Sequence, residues 1–278
     1  LVDALAAQDG LLVDVLGTEV DVKLAGSFPS VPGRPLTADL KSAQASLKLV
    51  AQFDGATIVA KDAQGLDASV PLSPLFSERI VGKLVPLLVH ATKPAGAKPV
   101  ALSVSKFSLP LDGDLSKLNG TVTLDLGEVG YSLLPGFESA LALAKLSDKA
   151  VASTTLEPLV IPIVNGVAGY DKLPVSIDGT QYFFTGTYDL AKSEMRFATE
   201  LPLTLLGKKF SNDLDKARDF IDPAMLVPIE IHGTWSKPKF KLGQKFIDDV
   251  LAKALDGLLK KGLDDLLGGN KKKKDKKD

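Results

Sequence analysis

The chain has 278 residues, of which 45% are hydrophobic and only 6% aromatic, and its formal charge is −1. This length and apolar content suit one large all-β or α+β domain, or two smaller ones. The near-neutral balance speaks against a general nucleic-acid binder, which needs a basic face against phosphate, and the absence of cysteine excludes disulfides and thiolate metal sites.

In chain order, the first residues, Leu-Val-Asp-Ala-Leu, carry neither Met nor a basic leader. They read as a mature form or a segment of a longer protein, with any anchor or targeting signal upstream. No run of 18 apolar residues offers a spanning helix. Period-two alternation, the mark of a half-buried strand, appears at 18–24, where Val20, Val22 and Leu24 oppose Glu19, Asp21 and Lys23. It recurs at Leu47, Leu49, Ala51 and Phe53. Ser73-Pro74 predicts a helix start, and Phe76, Ile80, Leu84, Leu87 and Leu88 continue at helical spacing until Pro86 breaks the segment.

From 101 to 109 the alternation slips phase between Val104 and Phe107, which predicts a β-bulge. Val122, Leu124 and Leu126 form the next stripe, and a helix is expected over 138–146. Tyr182, Phe184, Gly186, Tyr188 and Leu190, then Met195, Phe197 and Thr199, read as one long hairpin interrupted at 191–194. A short helix is expected from about Ser211, and Ile229 and Ile231 mark a last strand ahead of Trp235. Asp54-Gly55, Asp112-Gly113, Asn119-Gly120 and Asp178-Gly179 predict tight turns, because Asx-Gly accommodates positive φ. The sheet is therefore expected to be mainly antiparallel.

Residues 244–267 predict an amphipathic helix whose apolar side includes Ile247, Leu251, Leu255, Leu258 and Leu263. Gly257 and Gly262 weaken it by about 1 kcal/mol each, so it should depend on an apolar surface to dock against. Residues 270–278 hold six lysines and two aspartates, leaving −5 on the rest of the chain. This tail reads as a disordered solubilising segment or as one attracted to an anionic membrane surface. The division expected is 1–99 for the first strands and a helical segment near 73–92, 100–269 for a β-domain with its terminal helix, and 270–278 for the tail.

Reactive chemistry is sparse. The two histidines, His90 and His232, are far apart in the chain; His232 reads as an exposed residue on an alternating strand and His90 as one that stabilises a helix end, not as an activating base for a nucleophile. Asp213, Asp215, Asp219 and Asp222 would spread around a helix rather than chelate, and no glycine-rich phosphate loop is present. No metal, cofactor or catalytic residue is assigned, and an enzyme is not expected. What remains is apolar surface. Either the stripes form an ordinary closed core, or a curled sheet leaves Val122, Leu124, Leu126, Tyr182, Phe184, Tyr188, Met195 and Phe197 lining a trough for acyl chains. Burying each methylene there gains about 0.8 kcal/mol.

Three stretches carry a family resemblance. They are NGVAGYDKLPVSIDG (165–179), FTGTYDL with MRFATELPL (184–190 and 195–203), and VPIEIHGTWSKPKF (227–240) leading into the amphipathic helix. They resemble, in order and in position, the C-terminal domain of the AsmA-like family of bacterial envelope proteins. The resemblance implies a long twisted β-groove and a periplasmic or cell-envelope location. It also implies a non-enzymatic role in phospholipid binding or transfer that supports outer-membrane assembly. A phospholipid or other acyl-chain ligand, a membrane surface and the rest of a longer parent chain are the partners it implies. The alternative is a structural or protein-interaction module with a closed β core and no ligand.

Overall fold

The computed structural model describes residues 10–26, 34–60, 65–131, 152–177, 180–205, 222, 225–250 and 252. The architecture is β-dominated. Strands β1 (Asp21–Ala25), β2 (Pro35–Lys41), β3 (Ser46–Phe53), β4 (Thr57–Ala60), β5 (Leu66–Val70), β6 (Val100–Pro110) and β7 (Asn119–Asp125) enter one sheet. A separate two-stranded ribbon follows, β8 (Gly127–Tyr131) with β9 (Ala152–Leu156). Strands β10 (Leu159–Val164), β11 (Val167–Ile177), β12 (Thr180–Asp189), β13 (Glu194–Pro202), β14 (Leu226–Thr234) and β15 (Lys237–Leu242) complete the main sheet at thirteen strands.

Every pairing in that sheet is antiparallel, and the order is β1-β2-β3-β4-β6-β7-β10-β11-β12-β13-β14-β15. Strand β5 continues the rung of β4, since both lie between β3 and β6. The sheet is thus a meander with excursions. Because β5 pairs with β6, the main sheet crosses position 99/100 without a break.

Turn chemistry explains much of the register. Asp54 Oδ1 accepts the Thr57 amide at 2.8 Å across the β3–β4 turn, where Gly55 has φ 100°. The predicted hairpin β12–β13 is present, closed by Asp189 Oδ1, which accepts from the amides of Ala191 and Lys192. The predicted bulge is also present. The β6–β7 register shifts between Ser105 and Ser108, and Lys106 sits at φ 48°. One extra residue keeps the apolar phase: Val104 faces the same side as Phe107 and Leu109. A second shift, between Tyr170 and Leu173 of β11, does the same there.

Asn119-Gly120 is not a hairpin turn. It opens β7, because Asp112, Gly113 and the Asp114-capped 3₁₀ turn Leu115–Lys117 have already reversed the chain. The Asn119 side chain instead accepts the Asn165 amide at 2.9 Å. Asn165-Gly166 is the real hairpin pair, with φ 49° and 72° between the paired Val164 and Val167. Asp178-Gly179 lies outside the described residues, although the flanking pair Ile177 and Thr180 is in register.

Helices lie on one side of the sheet's apolar face. The helix α1 (Leu11–Leu16) buries Leu11, Val15 and Leu16. The segment 74–84 starts as predicted, with Ser73 Oγ accepting the Phe76 amide at 3.1 Å and Pro74 in the first turn. It loosens to a π turn at Ser77–Val81, then breaks at Val85 (φ −135°) ahead of Pro86. Ser73 donates a further hydrogen bond to the Asp14 carboxylate, tying this segment to α1. Residues 244–250 are helical and bury Phe246 and Val250. The helices expected over 138–146 and from Ser211, the terminal helix beyond 252, and the tail 270–278 fall outside the described residues.

Candidate functional site

The register carries one apolar face across the entire main sheet. From one edge it runs through Val22, Leu40, Leu47, Ala68, Leu102, Leu124 and Leu159, each opposite the next on neighbouring strands. Beyond β10 it continues through Ile163, Ala168, Tyr188 and Met195, and a parallel row ends at Phe197, Ile231 and Phe240. Since opposed residues share a side of the sheet, a single surface extends from β1 to β15. What covers it changes along its length.

Over its C-terminal two thirds the face is closed. Val122, Leu124, Leu126, Phe184, Tyr188, Met195 and Phe197 are at most 3% exposed, and Tyr182 is half-buried at the margin. They pack in one cluster with Phe76, Val81, Val85, Leu88 and Val89 of the helical segments and with Phe246 and Val250. The expectation that these eight residues line an open trough is not met for seven of them, which are buried in one cluster with residues of the helical segments. Tyr170 joins the layers: its hydroxyl donates to the Leu84 carbonyl, its ring lies 5.3 Å from that of Phe197, and burial raises its pKa well above the phenol range. Ser77 donates to the Val89 carbonyl at 3.0 Å, so the broken helix is also tied to itself. Of the apolar positions expected on the terminal helix, Ile247 packs against this cluster. Leu251, Leu255, Leu258 and Leu263 lie outside the described residues.

Toward β1 the described residues of the same face are less buried, although Leu40 and Leu47 still pack against the main cluster that includes Leu11, Val15 and Leu16 of α1. Val22 is 54% exposed and Leu24 63%, Leu109 is 38% exposed, and Leu36, Leu40, Leu47, Leu49, Phe53 and Ile58 are half-buried. Sequence alternation places Val22 and Leu24 on a half-buried face. They are exposed because β1 is an edge strand with no element above it among the described residues. A second small cluster, Ala51, Ala60 and Phe107 with Leu49, Ile58 and Val104, consists of strand residues alone. This more exposed end is the candidate site. The alternation of Leu36, Ala38 and Leu40 against Thr37 and Asp39 signals β2 in the same way as the stripes read above, and Leu109 follows from the bulge.

Two hollows lie on the opposite face. One, of about 480 Å³, is lined by polar and apolar residues of β2, β3, β5, β6 and β7, among them Asp39, Lys48, Asp67, Leu102 and Thr123. The other, of about 610 Å³, lies over β12–β14 and is lined by Phe183, Thr185, Ala198, Glu200, Leu226 and Pro228. Lys172 Nζ stands 4.1 Å above the Phe183 ring at its side. Both are open and shallow.

Several of the ionisable groups serve turns. A hydrogen bond from Lys117 holds the Asp112 carboxylate below its ordinary pKa, one from Ser116 does so for Asp114, and one from Lys192 for Asp189. Lys93 donates to the Leu126 carbonyl beside the ribbon, and partial burial lowers its pKa. His232 is partly exposed, 3.2 Å from Glu230 on the outer face, and His90 is exposed. Among the described residues no group of three or more His, Asp or Glu converges to hold a metal ion, and no helix is long and apolar enough to cross a membrane. In comparison with known proteins, the chain matches no family model, no curated protein and no solved structure.

Proposed function

We propose that this protein binds an apolar ligand without catalysis, holding the acyl chains of a phospholipid on the more exposed β1–β4 end of its apolar face, in the bacterial cell envelope. The observation that carries this reading is the single face that runs across thirteen strands and whose described residues become exposed or half-buried toward one end. Contiguous apolar surface of this kind marks contact with lipid or with another chain. From β1 to Leu109 on β6 the stretch spans four inter-strand spacings of about 4.8 Å, roughly 19 Å in all. Each methylene laid along it gains about 0.8 kcal/mol, while the head group stays in water beyond the edge. The resemblance to AsmA-like proteins points the same way. The lining residues are then Leu36, Leu49, Ile58 and Leu109, in place of the buried stripe.

A second reading is favoured by the burial of Leu124, Phe184 and Met195, all fully inaccessible. In it the sheet is a packed scaffold without a ligand. Lipid extraction and mass spectrometry after purification from a bacterial host, together with uptake of a fluorescent phospholipid, separate the two. The lipid reading expects bound phospholipid. It expects uptake to fall at least tenfold in a Leu49→Asp/Leu109→Asp variant of unchanged circular dichroism, and to persist in Val164→Asp, which alters the outer face. A preparation with neither bound lipid nor uptake establishes the scaffold.

A further inference from the structure

The two edges of the main sheet are built differently. Edge strand β15 presents Lys237, Lys239 and Lys241 on its outer side with Pro238 between them, and helix 244–250 follows directly. Charged and proline-bearing edges of this kind resist the addition of another strand. Edge strand β1 carries no proline, and its two charged residues, Asp21 and Lys23, are of opposite sign instead of a row of lysines. Among the described residues it pairs with β2 alone, all five of its residues are exposed, and Val22 and Leu24 project from it on the apolar face. An exposed strand with apolar side chains is a template for pairing.

We infer that β1 pairs antiparallel with β1 of a second copy of this chain, on a twofold axis through Val22. The choice of a second copy follows from the charges on the strand. Centring the pair on Val22 sets Asp21 opposite the partner's Lys23 and Lys23 opposite the partner's Asp21. It also sets Val20 opposite the partner's Leu24, and Val22 opposite the partner's Val22. The charged pairs fall on the polar face and the apolar pairs on the apolar face. Centring on Lys23 or on Asp21 sets like charges directly against each other, which destabilises a sheet. A register centred between residues turns one apolar face against the other copy's polar face. The Val22 register alone among these matches charge and keeps the apolar surface continuous. A twofold axis is also the commonest symmetry of a homodimer and needs one self-complementary patch. The inference rests on the edge strand and not on the lipid reading.

The test uses the full chain. Sedimentation velocity over a concentration series is expected to show a monomer–dimer equilibrium. Lys23→Asp sets acid against acid twice and should weaken the dimer at least tenfold. Asp21→Lys/Lys23→Asp reverses both pairs and should restore it, and both side chains are exposed, so the fold is not at stake. The chain has no cysteine, so Val22→Cys introduces a single thiol at the axis. It should form a disulfide-linked dimer under mild oxidation much faster than Leu226→Cys, an exposed control remote from β1. A monomer at every concentration overturns the inference, as does a dimer that Lys23→Asp leaves intact or a charge reversal that fails to restore pairing. Val22→Cys cross-linking no faster than the control does so too.

Discussion

Lys106 holds φ at 48° in the middle of β6, one of three described residues other than glycine with positive φ, beside Asn165 and Ser193. For an L-residue this left-handed conformation costs roughly 1–2 kcal/mol. The position is the first of a bulge that usually carries glycine. The lysine side chain is exposed, so nothing in the core depends on it. Lys106→Gly relieves the backbone and loses part of the gain to the greater freedom of glycine in the unfolded chain, about 0.5–1 kcal/mol. The net expectation is a stabilisation of about 0.5–1 kcal/mol, seen as a higher urea midpoint at unchanged slope. Phe107 should remain in its small cluster, because its direction is set by the pairing of Ser105 and Ser108 on either side. An unchanged or lower midpoint would mean that the lysine makes a favourable contact outweighing its strain.

Among the elements, the β10–β11 hairpin is the most constrained. Gly166 has φ 72°, and a Cβ built on it would lie 2.2 Å from the Leu115 carbonyl oxygen, a backbone atom that cannot swing aside. Its amide also donates to the Leu118 carbonyl at 2.8 Å. Gly166→Ala therefore combines a strained φ, costing on the order of 1–3 kcal/mol, with a backbone collision. A loss of at least about 2 kcal/mol is expected by denaturant titration, with the damage reaching the Leu115–Lys117 turn as well as the hairpin. This element also shows how far sequence reading reaches. Asn165-Gly166 carries the same Asx-Gly signal as Asn119-Gly120, yet only the first is a tight turn. Gly120 instead lies opposite the bulge, where its Cβ would come 2.9 Å from Phe107 Cβ. A dipeptide reports tolerance of positive φ and cannot distinguish a turn from a crowded cross-strand position. The β6 bulge was legible because a phase slip is a periodic signal, and the Ser73 cap and Pro86 break were legible because they are local. The covering of Leu124 and Met195 was not legible, since alternation identifies an apolar side without naming what rests on it. Exposed Leu24 and buried Leu124 belong to the same face and read alike.

For the whole molecule the uneven cover implies uneven stability. Opening free energy scales locally with buried apolar contact and with the number of paired neighbours. Strand β12 is flanked by β11 and β13 and buries Phe184 and Tyr188 under the helical layer. Among the described residues, strand β1 has one neighbour, and it buries none of its side chains. The connections favour such a gradient, because nearly every strand pairs with its neighbour in sequence and one end can open without dragging the other. Hydrogen exchange on the monomer, held as such by Lys23→Asp, should show amides of β1 and β2 exchanging at least a hundredfold faster than those of β12 and β13. That ratio is about 2.7 kcal/mol of opening free energy, comparable to burying a single large apolar side chain. The step should fall between β3 and β7, where Leu49 and Ile58 give way to Val122 and Leu124. Uniform protection from β1 to β15 would show that the sheet opens only as a whole. The more exposed end would then be as firmly held as the closed one, which removes the physical distinction between a ligand-bearing end and a packed core.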